Sequence, residues 1–126
     1  MATATLTEGK HRGEYLVSEA NGYRSRESIT VESGQVLEPG EVLGQVSASG
    51  EYKTYDPGNA DGSETAVAIS FDHVDASAGA VKAPITARDA EVNAAELTWF
   101  DGASAAQKTT GLDELEANAG IVARGR

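Results

Sequence analysis

The sequence predicts a mainly β protein with short helices, a small β-rich fold whose N-terminal stretch stands apart as a flexible arm. Short β-branched and aromatic runs recur between Ile29 and Ile85, separated by Gly, Pro, Asn and Asp. Convincing helical spacing appears only after residue 108. At 126 residues, with 40% apolar side chains of which 21 residues are alanine, the chain has material for one modest core.

Taken in order, residues 1–13 are mostly Thr, Ala, Gly and charged side chains, which cannot fold in isolation. Glu14, Tyr15, Leu16, Val17 and Ser18 form a short run with strand propensity, followed by the turn dipeptide Asn21-Gly22. Arg24 to Ser28 is polar before Ile29-Thr30-Val31 resumes strand chemistry. Residues 1–30 therefore read as an arm carrying one sticky strand. Residues 31–126 read as a compact mainly-β domain with a C-terminal helix.

Within that domain, Glu38-Pro39-Gly40 suits a type II turn, and Glu41 to Val46 is the next strand. Glu51 to Tyr55 forms another strand and Asp56 to Glu64 a loop. In Thr65 to Phe71, Val67, Ile69 and Phe71 alternate with small residues, as on a strand with one core face and one closely packed face. Ala80 to Ile85 is a further strand, Thr86 to Asn93 is ambiguous, and Ala94 to Leu97 suits a helical turn. Thr109-Thr110 can cap a helix carrying Leu112, Leu115 and Ala119, with Gly120 as its stop and Ile121-Val122 as a last apolar contact.

Charge removes several functions. The formal charge is −10, and it is uneven: residues 1–34 carry four bases against five acids, the remainder six against fifteen. Such a surface repels phosphate backbones, so no nucleic-acid partner is expected. Without cysteine there is no disulfide framework, thiolate metal site or cysteine nucleophile. No run of 18 apolar residues suggests a membrane span, and the start MATATLTEGK lacks the features of a secretory signal.

The catalytic candidates are thin. His73, with Asp72 and Asp75 beside it, is the one base a hydrolase could use or a metal could recruit, but such grouping is ordinary surface composition. The Asp56 to Gly62 loop fails the calcium-loop pattern: with Gly62 at its sixth position, Pro57 and Ala68 occupy the first and twelfth. Tyr52, Tyr55, Trp99 and Phe100 fit core or interface packing better than a ligand cage. No enzyme and no cofactor is expected. The rhythm of Val36 to Val46 also suits lipoyl- or biotinyl-type carrier domains, yet Lys53 lacks their flanks and hairpin; a generic acidic β interaction domain is the other alternative.

One reading unites these features. His11 to Gly22, Val36 to Val46, Tyr55, Asp61-Gly62, Ala66 to Ile69, Ala90 to Asn93, Leu97 and Trp99 occur in an order and spacing that resembles the lambda-type head decoration proteins of tailed bacteriophages. The helix from Leu112 and the tail to Arg126 lie outside that resemblance. The resemblance implies a trimer that cements the outer surface of the expanded head within the virion, made in the host cytoplasm. Its partners are then the major capsid protein and itself, with no nucleic acid and no membrane. It also implies an arm, disordered in free solution, that adds a strand to the major capsid protein. Glu14, Tyr15, Leu16, Val17 and Ser18 have the alternation and strand propensity such β-augmentation needs.

Overall fold

A strand buried on both faces organises the protein. In the computed structural model, which describes residues 9–21 and 24–126, β4 (Val42–Gln45) pairs antiparallel with β5 (Tyr52–Thr54) and with β6 (Ala68–Ser70). The barrel closes through β8 (Val81–Thr86) and β2 (Arg26–Val31), in the order β2-β5-β4-β6-β8. Because side chains alternate across a strand, neighbours part company. Leu43 and Ala68 join Val31, Ala83 and Ile85 in one apolar cluster, while Val42 and Ile69 face a second with Tyr15, Tyr55, Val92 and Leu115. The expected alternation of Thr65 to Phe71 holds at Ala68 and Ile69; Val67 and Phe71 are only half-buried.

The Pro39-Gly40 turn delivers β4 to this position. Gly40 has φ +89°, as the third residue of a type II turn requires, and the Glu41 N–H donates to the Glu38 carbonyl at 3.1 Å. Just before it, β3 (Val36–Leu37) pairs with β7 (Val74–Asp75) as a two-stranded ribbon that closes one side of the barrel core through Leu37 and Val74.

The second cluster is covered by a three-stranded sheet, β1-β9-β10, formed by Leu16–Glu19, Ala90–Asn93 and Ile121–Arg124. β9 pairs antiparallel with β1 and parallel with β10. The helix, α1, spans Ala105–Ala119 and seals the cluster with Leu112 and Leu115. It begins earlier than the sequence suggests. Ser104 is the N-cap in a reciprocal capping box with Gln107, and Thr110 sits inside the helix, its hydroxyl donating to the Ala106 carbonyl. Gly120 ends it as expected, but Ile121 and Val122 then enter a strand. A 3-10 turn at Ala94–Glu96 matches the expected helical turn.

Within residues 1–30, the stretch expected to be an arm, the described residues make close contacts with the rest of the chain. Tyr15 is core, β1 completes a sheet, and β2 forms a six-residue ladder with β8 from Arg26↔Thr86 to Val31↔Val81. The reason is that a polar, nearly neutral segment can still be held by one buried aromatic and by backbone pairing.

Gly44 shows how tightly β4 is enclosed. A Cβ there would lie 2.5 Å from the Ser63 backbone, so the usual entropic gain of Gly→Ala is overwhelmed. Gly44→Ala is expected to destabilise the fold by about 1–3 kcal/mol, read from the midpoint of urea unfolding.

Candidate functional site

Two surfaces offer themselves for binding, the first of them built around the N-terminal segment. Residues 9–14 lie against the body through polar contacts. Lys10 Nζ donates to the Glu96 carbonyl at 3.1 Å and to Thr98 Oγ1, and the Lys10 carbonyl meets His73 Nε2 at 2.8 Å. Arg12 pairs with Asp72 at 3.5 Å, and the Gly13 N–H donates to the Phe71 carbonyl at 3.1 Å. The exposed Arg12 pair contributes little, within roughly 0–1 kcal/mol.

Tyr15 is different in kind. Its side chain is buried, its hydroxyl shares a 2.5 Å hydrogen bond with Thr86 Oγ1, and its carbonyl accepts from the Asn93 N–H at 2.8 Å. Burial pushes the phenol far above its ordinary pKa, so it stays neutral. Leu16 packs against the same cluster.

Of the five residues expected to form a binding strand, Tyr15 and Leu16 thus serve the protein's own core. Glu14 is exposed, its carboxylate accepting from the His11 N–H. Val17 is 56% exposed and Ser18 is exposed, both on β1, whose outer edge pairs with no strand among the described residues. Glu19 closes the strand. Against burial, which pushes its pKa up, the forked Arg26 contact (2.7 and 3.2 Å) and the Ser25 hydroxyl hold it below the ordinary value. Arg26 in turn lies 4.2 Å from the Phe71 ring centroid.

The second surface is a groove of about 500 Å³ between β3, the Pro39-Gly40 turn and residues 98–101. Its walls are locked together by Thr98, whose N–H donates to the Gly40 carbonyl at 2.9 Å and whose carbonyl accepts from the Val42 N–H at 3.0 Å. Trp99 and Phe100 form an aromatic wall, each held edge-on by Tyr55 at 6.2 and 6.0 Å. Burial and the Glu114 carboxylate push the Tyr55 phenol up to about 12. Val36, 65% exposed, stands on the rim.

Glu41 lines this groove although it is only 8% exposed. Its carboxylate accepts from the Glu38 N–H at 3.3 Å and from Thr54 Oγ1 at 3.1 Å, both neutral donors, and is in no ion pair with a described residue. Burial raises its pKa above the ordinary carboxylate value, only partly opposed by those hydrogen bonds. Sequence reasoning passed over Glu41. The signal available was an acid set between a Pro-Gly turn and the consecutive apolar pair Val42-Leu43, where both faces of the strand are buried.

The other candidates have structural employment. Lys53 lies within β5, not at a hairpin tip, paired with Asp61 at 3.3 Å and Glu32 at 3.5 Å. Burial opposes its charge, but these carboxylates hold its pKa above the usual value. This is not the exposed lysine a carrier domain needs. In the Asp56 to Gly62 loop the carboxylates bind their own turn. Asp56 accepts from the Gly58 N–H at 2.8 Å, and Ser63 and Lys53 hold Asp61 at about 2. His73 spends a ring nitrogen on the Lys10 carbonyl.

Two outcomes follow from these environments. Tyr15→Ala should cost about 3–5 kcal/mol and Tyr15→Phe, which strands the buried Thr86 hydroxyl, about 1–2 kcal/mol. Val17→Ser should stay within about 0.5 kcal/mol; equilibrium denaturation separates the three. Because Glu41 has a raised pKa when folded, the native state holds its proton more tightly than the unfolded chain. Its contribution to stability is full below the ordinary carboxylate pKa and is lost as pH rises through the raised one. Glu41→Gln should therefore melt higher than wild type at pH 7, with the difference shrinking toward pH 4.

Comparison with known proteins places the chain in a family. No curated protein matches the chain, but the family model described as Bacteriophage lambda head decoration protein D matches residues 5–121. That span takes in α1, Gly120 and the first residue of β10, so the C-terminal helix belongs to the common pattern and is no addition to it. With this match covering nearly the whole of its length, the chain belongs to the phage head decoration protein family, a structural component of the virion capsid.

Proposed function

We propose that the protein cements the outer surface of the expanded phage head, binding as a trimer to the major capsid protein. In this reading the N-terminal segment adds a strand to the capsid protein. The observation that carries it is β1: an edge strand with exposed Val17 and Ser18, held at its base by the buried Tyr15. A strand with a free edge offers backbone donors and acceptors to a partner. The anchored Tyr15 fixes where that edge sits. Of the expected contact residues, Glu14, Val17 and Ser18 are the exposed ones; residues 1–8 lie outside the described part of the chain.

Three such segments on one trimer would raise avidity by ~10²–10⁴ over a single one without new contacts. Binding the expanded lattice in preference to the unexpanded one stabilises it by linkage. The acidic remainder of the chain, six bases against fifteen acids beyond residue 34, suits a solvent-facing surface that keeps particles apart.

The test is co-sedimentation with expanded capsids lacking this protein. A chain beginning at Gly9 keeps every contact described here and should bind at least about tenfold more weakly. Val17→Lys, which blunts the strand edge, should also bind more weakly at unchanged stability. Full-strength binding by both variants would remove the N-terminal mechanism, and absence of binding by the full chain would remove capsid decoration.

A further inference from the structure

We propose that the groove beneath Val36 is a second docking site for the capsid lattice, taking a lysine or arginine side chain flanked by an apolar residue, with Glu41 as its counter-ion. This rests on the capsid-decoration reading and adds to it a contact on the body, away from β1.

Three features converge. The groove is lined by the apolar Val36, Trp99 and Phe100 and by the acidic Glu38, Glu41 and Asp101. Val36 and Val17 are the two exposed large aliphatic residues of the described chain, and Val36 stands at this rim. Glu41 is a buried carboxylate served, among the described residues, only by neutral donors. Lys10, whose charge acts on it, commits its ammonium to the Glu96 carbonyl and Thr98.

A buried charge without a counter-ion burdens the free protein. A cation brought by a partner relieves that burden, and the aromatic wall can hold the aliphatic stem and the charged head of such a side chain. An anionic or phosphate-bearing partner meets three carboxylates and is excluded. The walls need no rearrangement, because Thr98 ties the turn to the aromatic segment and Tyr55 backs the rings.

The decisive experiment measures stability and capsid affinity of Glu41→Gln and Val36→Ser side by side, with the full chain and expanded capsids. Glutamine keeps the shape; its amide oxygen accepts from the Glu38 N–H and its NH2 donates to Thr54 Oγ1, whose own proton then goes to Gln35 Oε1. If the groove takes a cation, Glu41→Gln is more stable at pH 7 but binds capsids about tenfold or more weakly, with a shallower salt dependence. Val36→Ser melts as wild type and binds severalfold more weakly. Opposite signs for stability and affinity are what a purely structural Glu41 cannot produce. Wild-type affinity in both variants overturns the groove while leaving decoration intact. Loss of stability together with affinity in Glu41→Gln makes its role structural and overturns it too. A change in self-association, seen by sedimentation velocity, assigns the groove to a second copy of this chain and also overturns it. Failure of wild type to bind removes the decoration reading, and the proposal with it.

Discussion

Burial of Tyr15 is the constraint on which the rest of the N-terminal third depends. One ring fills the junction between barrel, sheet and helix, and its hydroxyl and carbonyl tie it to Thr86 on β8 and Asn93 on β9. From that fixed point the chain runs outward in two directions. Toward the N-terminus it crosses the surface through Gly13, Arg12 and Lys10; toward the C-terminus it becomes β1, with one edge paired and the other unpaired among the described residues. A binding segment rooted this way presents its free edge in a defined place, which lowers the ordering cost of association.

The sequence was most legible where local chemistry and tertiary context agree. The Pro39-Gly40 turn, the strand that follows it, the 3-10 turn at Ala94 and the Gly120 stop were all readable, because turn chemistry and β-branched alternation are local signals. The sheet was not. Ala90 to Asn93 has only Val92 to mark it as a strand, and Ile121 to Arg124 is a parallel strand whose partner lies far away in sequence. The early start of α1 was hidden by Thr109, Thr110 and Gly111, poor helix formers that tertiary packing overrides. Gly111 has its own reason, since a Cβ there would meet the Trp99 ring at 2.6 Å.

The same division applies to function. The apolar run beginning at Tyr15 was visible, but its composition alone could not reveal that two members face inward and only Glu14, Val17 and Ser18 face solvent. Counting charges located the acidic body without distinguishing ordinary surface carboxylates, such as Asp75 satisfied by Ser77, from Glu41, whose burial is a product of the Pro-Gly turn and the doubly covered β4. Membership of the head decoration family gives these surfaces a common purpose. A small barrel, rigid through its double core, carries an anchored edge strand on one side and an aromatic groove with a buried acid on another.

The central claim is that Tyr15 makes residues 9–21 part of the folded body. Native-state hydrogen exchange on the free protein tests it most directly. The Asn93 amide, which donates to the Tyr15 carbonyl, and the Ala20 amide, which donates to Asp89, report on the anchored segment; the Val67 amide, which donates to Leu43, reports on the barrel. The account predicts slow exchange for all three, with the Asn93 and Ala20 amides protected well beyond free-peptide rates. Free-peptide exchange at Ala20 and Asn93, with Val67 still slow, would contradict it and make everything before the barrel a detached arm.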